Sequence, residues 1–288
     1  MKVSAMFSHK KPVISFEIFP PKPEYPIHTI YDTLEGLKSL NPAFVSITYG
    51  AGGSNSATTF QIAEKVKNDY QMATVSHFTC IGNTRAQVDH ALQQLKEIGV
   101  ENILALRGDY PAGQSAETLP GDFQYAKDLI SHIRQDPAFS IGAAAYPEGH
   151  IECRDRQLNI EYLKQKAAAG ADFFITQLFF DNTMYYSFLE DVRKAGIVLP
   201  ISVGIMPITN GNLVRRICSL CGATIVPALQ AIIEKYEAKP ADMEKAGIEY
   251  ACNQIRDLID HNVDGIHLYT MNKYTHARTI MTNLGLNQ

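Results

Sequence analysis

A single acidic residue, Glu17, stands inside an otherwise apolar run near the start of the chain. The run, VISFEIF from Val13 to Phe19, is typical of a strand that is buried on both faces. A carboxylate between Phe16 and Ile18 loses hydration, which raises its pKa toward the range useful for a general acid. The alternative is a buried carboxylate that an arginine or a backbone amide satisfies. The pattern therefore predicts acid catalysis at Glu17 and leaves a structural role open.

Polar residues also follow most of the other apolar runs. The segment LRGD brings the guanidinium of Arg107 and the carboxylate of Asp109 to the end of one run, although such a segment by itself is usually a solvated turn. The amide of Gln177 suits the edge of a heteroaromatic ring, with a structural hydrogen bond as the alternative. The other polar or aromatic residues at run ends are Thr48, Tyr49, His77, Thr79, Tyr146, Glu148, His150, Asp181, His267, Tyr269 and Asn272. Their convergence predicts a site of mixed polar and aromatic character.

The elements that must position these residues form a regular alternation along the whole chain. Eight short runs rich in Val, Ile, Phe and Tyr begin at Val13, Phe44, Ala73, Asn102, Ser140, Phe173, Ile201 and Gly265. Between them, as in residues 85–98, apolar residues fall on one helical stripe and a glycine follows as a stop. This order predicts an α/β fold, a single (β/α)8 TIM barrel over residues 1–288. Extra helices are expected between strands seven and eight, around residues 213–220 and 243–260, and a last helix around residues 274–284.

An open, doubly wound sheet would show the same alternation. Its nucleotide signature, G-x-G-x-x-G after the first strand, is missing here, because the first run ends in EIFPPKPEYP. A proline-rich exit cannot form the helix start that cradles a phosphate. The barrel is therefore the favoured interpretation.

Composition excludes several other classes of protein. A net charge of −4 gives no indication of a nucleic-acid partner, and no apolar run approaches the roughly 18–20 residues that span a bilayer. The N-terminus has no apolar signal region, and five cysteines in no scaffold spacing fit a reducing compartment. Cys218 and Cys221 form a lone C-x2-C that is more typical of helix packing than of redox chemistry or zinc, and no metal site is predicted. We expect a cytoplasmic protein with no membrane partner.

Eight motifs in order resemble those of the bacterial, FAD-dependent methylenetetrahydrofolate reductase family. They are SFEIFPPK, SITYGAGG, SHFTCIG, ILALRGD, AAAYPEGH, ITQLFFD, GIMPIT and HLYTMNK, and they run from about Val13 to Gly285. The resemblance implies a (β/α)8 barrel with non-covalent FAD, and an oxidoreductase that makes 5-methyltetrahydrofolate in one-carbon and methionine metabolism. It also implies ping-pong hydride transfer through flavin N5 from NADH or NADPH.

The resemblance carries over to individual residues. It implies that Glu17 is the general acid that opens the bridged folate, and that Asp109 is a second catalytic carboxylate beside flavin and pterin. Gln177, Thr48 and Lys273 are implied in folate binding. The implied flavin contacts are Thr48, Tyr49, Ala51, His77, Arg107, Gly108, Asp109, Ala126, Tyr146, His150, Asn159, Tyr162, Gln165 and Lys166. The cations Arg107 and Lys166, with His150, suit a pyrophosphate.

The sequence departs from the enterobacterial pattern of the family at several of these positions. Asn159, Tyr162 and Gln165 stand where that pattern has Asp, Asn and Arg. Gly211 stands where it has an aromatic residue that can stack on nicotinamide or pterin, so an introduced phenylalanine is expected to strengthen NADH binding. The alternative is that the loop backbone needs the positive φ of a glycine. Lys273 replaces an arginine and keeps its charge toward the folate glutamate.

Other functions remain open at the level of sequence. One is a folate- or flavin-binding barrel subunit that receives electrons from a ferredoxin-type partner, and another is a non-catalytic regulatory barrel. An aldolase-like lyase would need a Schiff-base lysine at a strand end, and none of the eight runs offers one. The sequence leaves homo-oligomer formation and an electron-transfer partner protein undecided.

Overall fold

Eight parallel strands close into a barrel in chain order. The computed structural model describes residues 1–9, 12–22, 24–49, 56–111, 113–115 and 117–286. The strands are β1 Val13–Ile18, β2 Phe44–Ile47, β3 Thr74–Thr79, β4 Asn102–Leu106, β5 Ser140–Ala145, β6 Phe173–Thr176, β7 Ile201–Ile205 and β8 Gly265–Tyr269. Each strand pairs with the next, and β8 pairs with β1. The predicted TIM-barrel fold is therefore confirmed, with all eight apolar runs as strands.

Eleven α-helices are found in the described part of the chain. They are α1 Val3–Met6, α2 Tyr31–Lys38, α3 Ser56–Asn68, α4 Arg85–Glu97, α5 Ala126–Ile133, α6 Arg156–Ala168, α7 Asn182–Lys194, α8 Gly211–Cys221, α9 Pro227–Tyr236, α10 Pro240–Asp260 and α11 Tyr274–Asn283, and a 3-10 turn, Ile27–Ile30, leads into α2. The extra helices predicted between strands seven and eight are α8 and α10; α9 and α1 were not predicted. None of the helices in the described ranges is long and apolar enough to cross a membrane.

Apolar side chains close the amino end of the barrel. Val3, Phe7, Val13, Phe44, Val75, Leu104, Phe173 and Ile175 form one buried cluster there. The Val3 amide donates to Asn102 Oδ1 at 2.7 Å, which fixes α1 beneath the strands. Because this end is filled, a ligand can approach the interior of the barrel from the carboxyl ends of the strands.

Capping side chains fix where α4, α6 and α8 begin, at the carboxyl end of the barrel. Thr84 and Gln87 form a reciprocal capping box at the start of α4. The Asp155 side chain accepts from the Leu158 amide at the start of α6, and Asn210 accepts from the Leu213 amide at the start of α8. These caps define the ends of the loops that carry the functional residues.

Candidate active site

Glu17 lies at the centre of a polar cluster contributed by β1, β2, β3 and β8. Its Oε2 atom is 3.4 Å from Ser46 Oγ, 3.4 Å from His267 Nε2 and 3.4 Å from His77 Nε2. Side chains from these four strands can meet only in the interior of the barrel. The Glu17 side chain is 17% exposed, whereas His77 and His267 are buried. The carboxylate therefore stands between a buried polar layer and the mouth of the barrel.

His267 is held at both ring nitrogens. Its Nδ1 lies 2.8 Å from Ser15 Oγ and its Nε2 lies 3.2 Å from Ser46 Oγ. The ring stacks on Phe44 with centroids 5.9 Å apart. An imidazole fixed in this way stays 3.4 Å from the Glu17 carboxylate without reorienting.

The pKa of Glu17 is lower than the sequence predicts. Burial raises this pKa, but the hydrogen bond with His267, the charges of His77 and His267, and the Ser46 hydroxyl outweigh burial and lower it. The expectation of a raised pKa is therefore wrong for the free protein. The sequence shows the apolar neighbours along β1, but not the polar ones that other strands bring across the barrel. Burial also lowers the pKa of His77 to about 4, so His77 is neutral at neutral pH.

The turn after β8 fixes the backbone that directly follows the Glu17 side chain. Thr270 Oγ1 donates to the Glu17 carbonyl at 2.6 Å. The Asn272 side chain accepts from the Phe19 amide at 3.0 Å and donates to the Phe19 carbonyl at 2.8 Å. Met271 and Asn272 both have positive φ, which makes this turn tight. The HLYTMNK segment thus positions the acid from the neighbouring strand.

Asp109 and Gln177 lie on the loops that follow β4 and β6. Asp109 is exposed. Gly108 before it has φ +85°, and a Cβ there would come within 2.8 Å of Thr79 Cβ, so only glycine fits this turn. Gln177 Oε1 accepts from the Leu178 amide at 2.9 Å. This is a structural hydrogen bond of the kind that the sequence analysis gave as the alternative role of Gln177.

Thr48, Tyr49 and Lys273 lie at the same rim, just after β2 and at the start of α11. The Thr48 amide donates to the Ile18 carbonyl at 3.0 Å, and the Tyr49 ring contacts Phe78 edge-on at 5.2 Å. Lys273 is exposed at the start of α11. Ala51 lies outside the described residues, so its predicted flavin contact stays a prediction.

A cavity of about 490 Å³ opens beside the ends of β4 and β5, against α5 and α6. Eight of the predicted flavin contacts line it, together with neighbours that include Tyr125, Lys127 and Glu152. The eight are Arg107, Ala126, Tyr146, His150, Asn159, Tyr162, Gln165 and Lys166. Its volume falls in the range of about 300–1,000 Å³ that is usual for small-molecule sites. The structure therefore brings together residues that are up to 59 positions apart in the chain.

The inner part of the cavity is cationic and aromatic. Lys166 Nζ donates to the Ala144 carbonyl at 2.8 Å and lies 5.3 Å from the centre of the Tyr146 ring. Burial, and then the charge of Arg107, lowers the pKa of Lys166 to about 8. Arg107 forms a two-bond ion pair with Glu152, which also lines the cavity. Such a surface suits a ligand with both anionic groups and flat rings.

Two of the eight residues direct their amides toward protein partners. Asn159 Oδ1 accepts from the His150 amide, and its Nδ2 donates to the carbonyls of Cys153 and Asp155. Gln165 Oε1 accepts from Lys127 at 2.9 Å. These residues shape the wall of the cavity, and the Asn159 amide in particular holds the loop after β5.

Several residues of the two sites were not predicted. Ser15 and Ser46 join the Glu17 cluster. Each lies two residues before a predicted site residue, Glu17 or Thr48, and residues two apart in a strand face the same side, so this spacing could have identified them. Glu152 and Lys127 line the cavity with no motif that marks them.

The surroundings of Gly211 argue against the predicted gain in NADH binding from a phenylalanine. Gly211 is buried at the first turn of α8, and a Cβ there would lie 2.7 Å from Ile233 Cγ2 on α9. Its φ is not positive, so close packing rather than turn geometry demands a glycine. A phenylalanine at this position would collide with α9 before it could stack on a ligand.

The cysteine pair on α8 packs inside the insertion between β7 and β8, in an apolar cluster with side chains of α9 and α10. Cys218 is buried, Cys221 is half-buried, and burial raises the pKa of both thiols, that of Cys218 to about 11. Within the residues that the structure describes, no group of three or more His, Cys, Asp or Glu side chains could hold a metal ion.

Comparison with known proteins identifies sequence relatives over nearly the whole chain. A family model described as methylenetetrahydrofolate reductase matches residues 2–285. "Methylenetetrahydrofolate reductase (NADH) 1" of Arabidopsis thaliana is 36% identical over 99% of this chain and 50% of its own length. The "5,10-methylenetetrahydrofolate reductase" of Salmonella typhimurium is 31% identical over 95% of this chain and 90% of its own length. The chain thus spans about half the length of the plant relatives.

Solved structures share the fold at much lower sequence identity. An uncharacterized protein from Clostridium thermocellum, described as binding two copies of 5-methyl-5,6,7,8-tetrahydrofolic acid, has a TM-score of 0.70 and 14% identity. The alignment covers 98% of this chain and 100% of that chain. At this identity the likeness shows the barrel fold alone.

Proposed function

The chain belongs to the methylenetetrahydrofolate reductase family, and from this premise we propose that it reduces 5,10-methylenetetrahydrofolate to 5-methyltetrahydrofolate. We further propose that one barrel domain carries out the reaction with FAD as the hydride carrier and NADH or NADPH as the donor. The observation that carries the proposal is the Glu17 cluster at the mouth of the barrel, where a cavity with cationic and aromatic walls opens beside the ends of β4 and β5.

The residues of the cavity fit FAD. Arg107 and Lys166 supply positive charge for a pyrophosphate, and Tyr125, Tyr146 and Tyr162 offer aromatic surface for flat rings. When bound, FAD would supply the hydride chemistry, while the chain supplies position and electrostatics. Thr48, Tyr49, His77, Gly108 and Asp109 are proposed contacts toward the barrel axis, and Ala51 is proposed as a further flavin contact.

Tyr269 links the cavity to the acid cluster. Its hydroxyl donates to the Thr176 carbonyl at 2.7 Å, across the mouth from β8 to β6. Burial, and then the charges of Glu17 and Tyr146, raises the pKa of Tyr269 well above its ordinary value. Tyr269 stays protonated, and it lies beside the acid cluster, because it pairs with Glu17 in the sheet and its ring centre is 5.5 Å from that of His267. We expect the pterin to bind where these two regions adjoin.

Glu17 is the proposed proton donor to the bridged folate. In the free protein the carboxyl is ionised at neutral pH, because the cluster lowers its pKa. A folate over the barrel mouth would cover the exposed part of the side chain and remove water, which favours the protonated form. His267, which is held at Ser15 and Ser46, lies 3.4 Å from the carboxylate and keeps it oriented. Proton transfer opens the folate bridge to the iminium that accepts hydride.

The remaining proposed roles concern substrate position. Asp109 would stabilise the cationic folate beside the flavin, and Gln177 would hydrogen-bond the pterin with Thr48 nearby. Lys273, exposed at the rim, would attract the glutamate tail of the folate.

The test is anaerobic and separates the two half-reactions. Protein reconstituted with FAD is mixed with NADH, NADPH or reduced ferredoxin, and the visible flavin absorbance is followed. Methylenetetrahydrofolate is then added to the reduced protein. We expect bleaching by a nicotinamide and recovery of the absorbance with formation of 5-methyltetrahydrofolate. Bleaching only by ferredoxin would replace the donor, and reduced protein that folate does not reoxidise would overturn the proposed reaction.

A further inference from the structure

The guanidinium of Arg107 is already paired inside the cavity. Its Nη1 and Nη2 atoms donate to the two carboxylate oxygens of Glu152, the second at 2.9 Å, and its Nε donates to the Gly108 carbonyl at 3.2 Å. Three of the five N–H groups of the side chain are therefore in use, including both ends of the fork that binds a phosphate in bidentate fashion. Arg107 is 24% exposed and Glu152 is 59% exposed, so Glu152 can leave into solvent.

The backbone of the turn that carries Glu152 is held by several hydrogen bonds. Its own amide donates to His150 Nδ1 at 3.2 Å, and Cys153 forms a short antiparallel bridge with His150. Asn159 anchors the same turn through the His150 amide and the Cys153 carbonyl. The backbone around Glu152 is therefore fixed at the mouth of the cavity, and only the carboxylate must move to release Arg107.

The other cations of the cavity have different partners. Lys166 Nζ donates to the Ala144 carbonyl, and Lys127 Nζ donates to Gln165. Arg107 is the planar cation among them, and so it is the group suited to hold a phosphate by two parallel bonds. A phosphate that reaches Arg107 must displace a carboxylate of the same sign of charge.

We propose that Glu152 is an internal counter-ion that occupies the phosphate-binding fork of Arg107 and thereby weakens the binding of a pyrophosphate-bearing flavin. The inference rests on the proposed function, because it takes the cavity to be the FAD site. Glu152 compensates the charge of Arg107, swings out when the pyrophosphate arrives, and returns when the cofactor leaves. It is thus a residue that sets cofactor affinity and exchange.

The experiment measures the dissociation constant of FAD for apoprotein by quenching of flavin fluorescence. Glu152→Gln removes the charge and keeps the shape. Glu148→Gln is the matched control, because Glu148 lies on the same loop but bonds the Thr224 amide instead of Arg107. An exposed ion pair affects equilibria by up to about fivefold, so Glu152→Gln should tighten FAD binding about two- to fivefold while Glu148→Gln changes it by less. In an Arg107→Lys background, which lacks the fork, the effect of Glu152→Gln should shrink.

The possible outcomes distinguish failure of the counter-ion role of Glu152 from failure of the proposed cofactor site. FAD binding that is unchanged or weaker in Glu152→Gln overturns the counter-ion role, and weaker binding would mean that Glu152 aligns Arg107 for the ligand. If Arg107→Lys weakens FAD binding in that case, the proposed cofactor site survives. If Arg107→Lys leaves FAD affinity unchanged, the counter-ion and the proposed site for the pyrophosphate are both wrong.

Discussion

Replacing Glu17 with glutamine should separate acid catalysis from everything else the residue does. The amide keeps the volume of the side chain and can still hydrogen-bond Ser46 and His267, but it has no proton to give to the folate. General acid catalysis contributes about 10²–10⁴-fold. We therefore expect folate reduction to slow by that factor, while flavin reduction by the nicotinamide continues at nearly the original rate.

The structure also bounds the effect of this variant on stability. All three contacts of Glu17 Oε2 are 3.4 Å long, beyond the range of about 2.7–3.2 Å of strong hydrogen bonds. Exchanging these contacts of the carboxylate for those of an amide should change the free energy of unfolding by no more than about 1 kcal/mol. The variant should therefore fold and bind flavin, so that slow folate reduction cannot be attributed to unfolding.

The assay is stopped-flow spectrophotometry of the two half-reactions, with thermal unfolding as the measure of integrity. Glu97→Gln, an exposed carboxylate on α4, is the control for loss of a single charge. Folate reduction in Glu17→Gln within about tenfold of the original rate lies below the expected range and would refute the acid role. Equal slowing of both half-reactions would instead assign Glu17 to the flavin environment.

Three further predictions concern acid stability, flavin potential and helix packing. The pKa of His77 is lowered from 6.5 to about 4, so between these pH values the unfolded chain binds a proton that the folded chain does not. The free energy of unfolding should therefore fall by up to about 3 kcal/mol as the pH falls from 6.5 toward 4. Urea titrations across this window should show a weaker pH dependence in His77→Gln, and an equal dependence would contradict the assignment. Asp109→Asn should raise the flavin midpoint potential and change folate affinity, and a potential unchanged in dye equilibration would place the carboxylate away from the flavin ring. In an exposed helix, a glycine-to-alanine substitution stabilises by about 1 kcal/mol. Gly247→Ala should instead destabilise the protein, because the new Cβ would lie 1.4 Å from the Ile208 carbonyl oxygen. A higher melting temperature would show that α10 shifts freely.

The strands could be predicted because each carries its own signal. A parallel strand buried on both faces needs a continuous apolar run, and all eight runs became strands at the predicted starting residues or one position later. The helix α9 was missed because its region, from Pro227, was read only as part of a long interval between strands. Its start depends on Pro227 at the first turn, and its buried face on contacts such as that between Ile233 and Gly211. Such contacts join different segments of the chain and leave no local pattern.

The positions of the functional residues could be predicted more fully than their electrostatics. Arg107, Tyr146, His150 and Lys166 were expected near one ligand, and they line one cavity. The pKa of Glu17, however, depends on atoms of β2, β3 and β8 that lie far away in sequence. Glu152 was missed for the same reason, because only the fold shows that its carboxylate meets Arg107, 45 positions earlier.

The two regions of the rim suggest why one barrel can serve two successive half-reactions. The proton-handling residues come from β8, β1, β2 and β3, whereas the cavity is built on β4 and β5 with α5 and α6. Tyr269 stands between them, fixed to the Thr176 carbonyl and kept protonated by burial. On the proposed function, a donor and a folate can use the same flavin in turn because the acid cluster is not needed when the nicotinamide is bound. A substitution in the Glu17 cluster should then affect the folate step, and one at Arg107 or Glu152 should act through cofactor affinity on both steps.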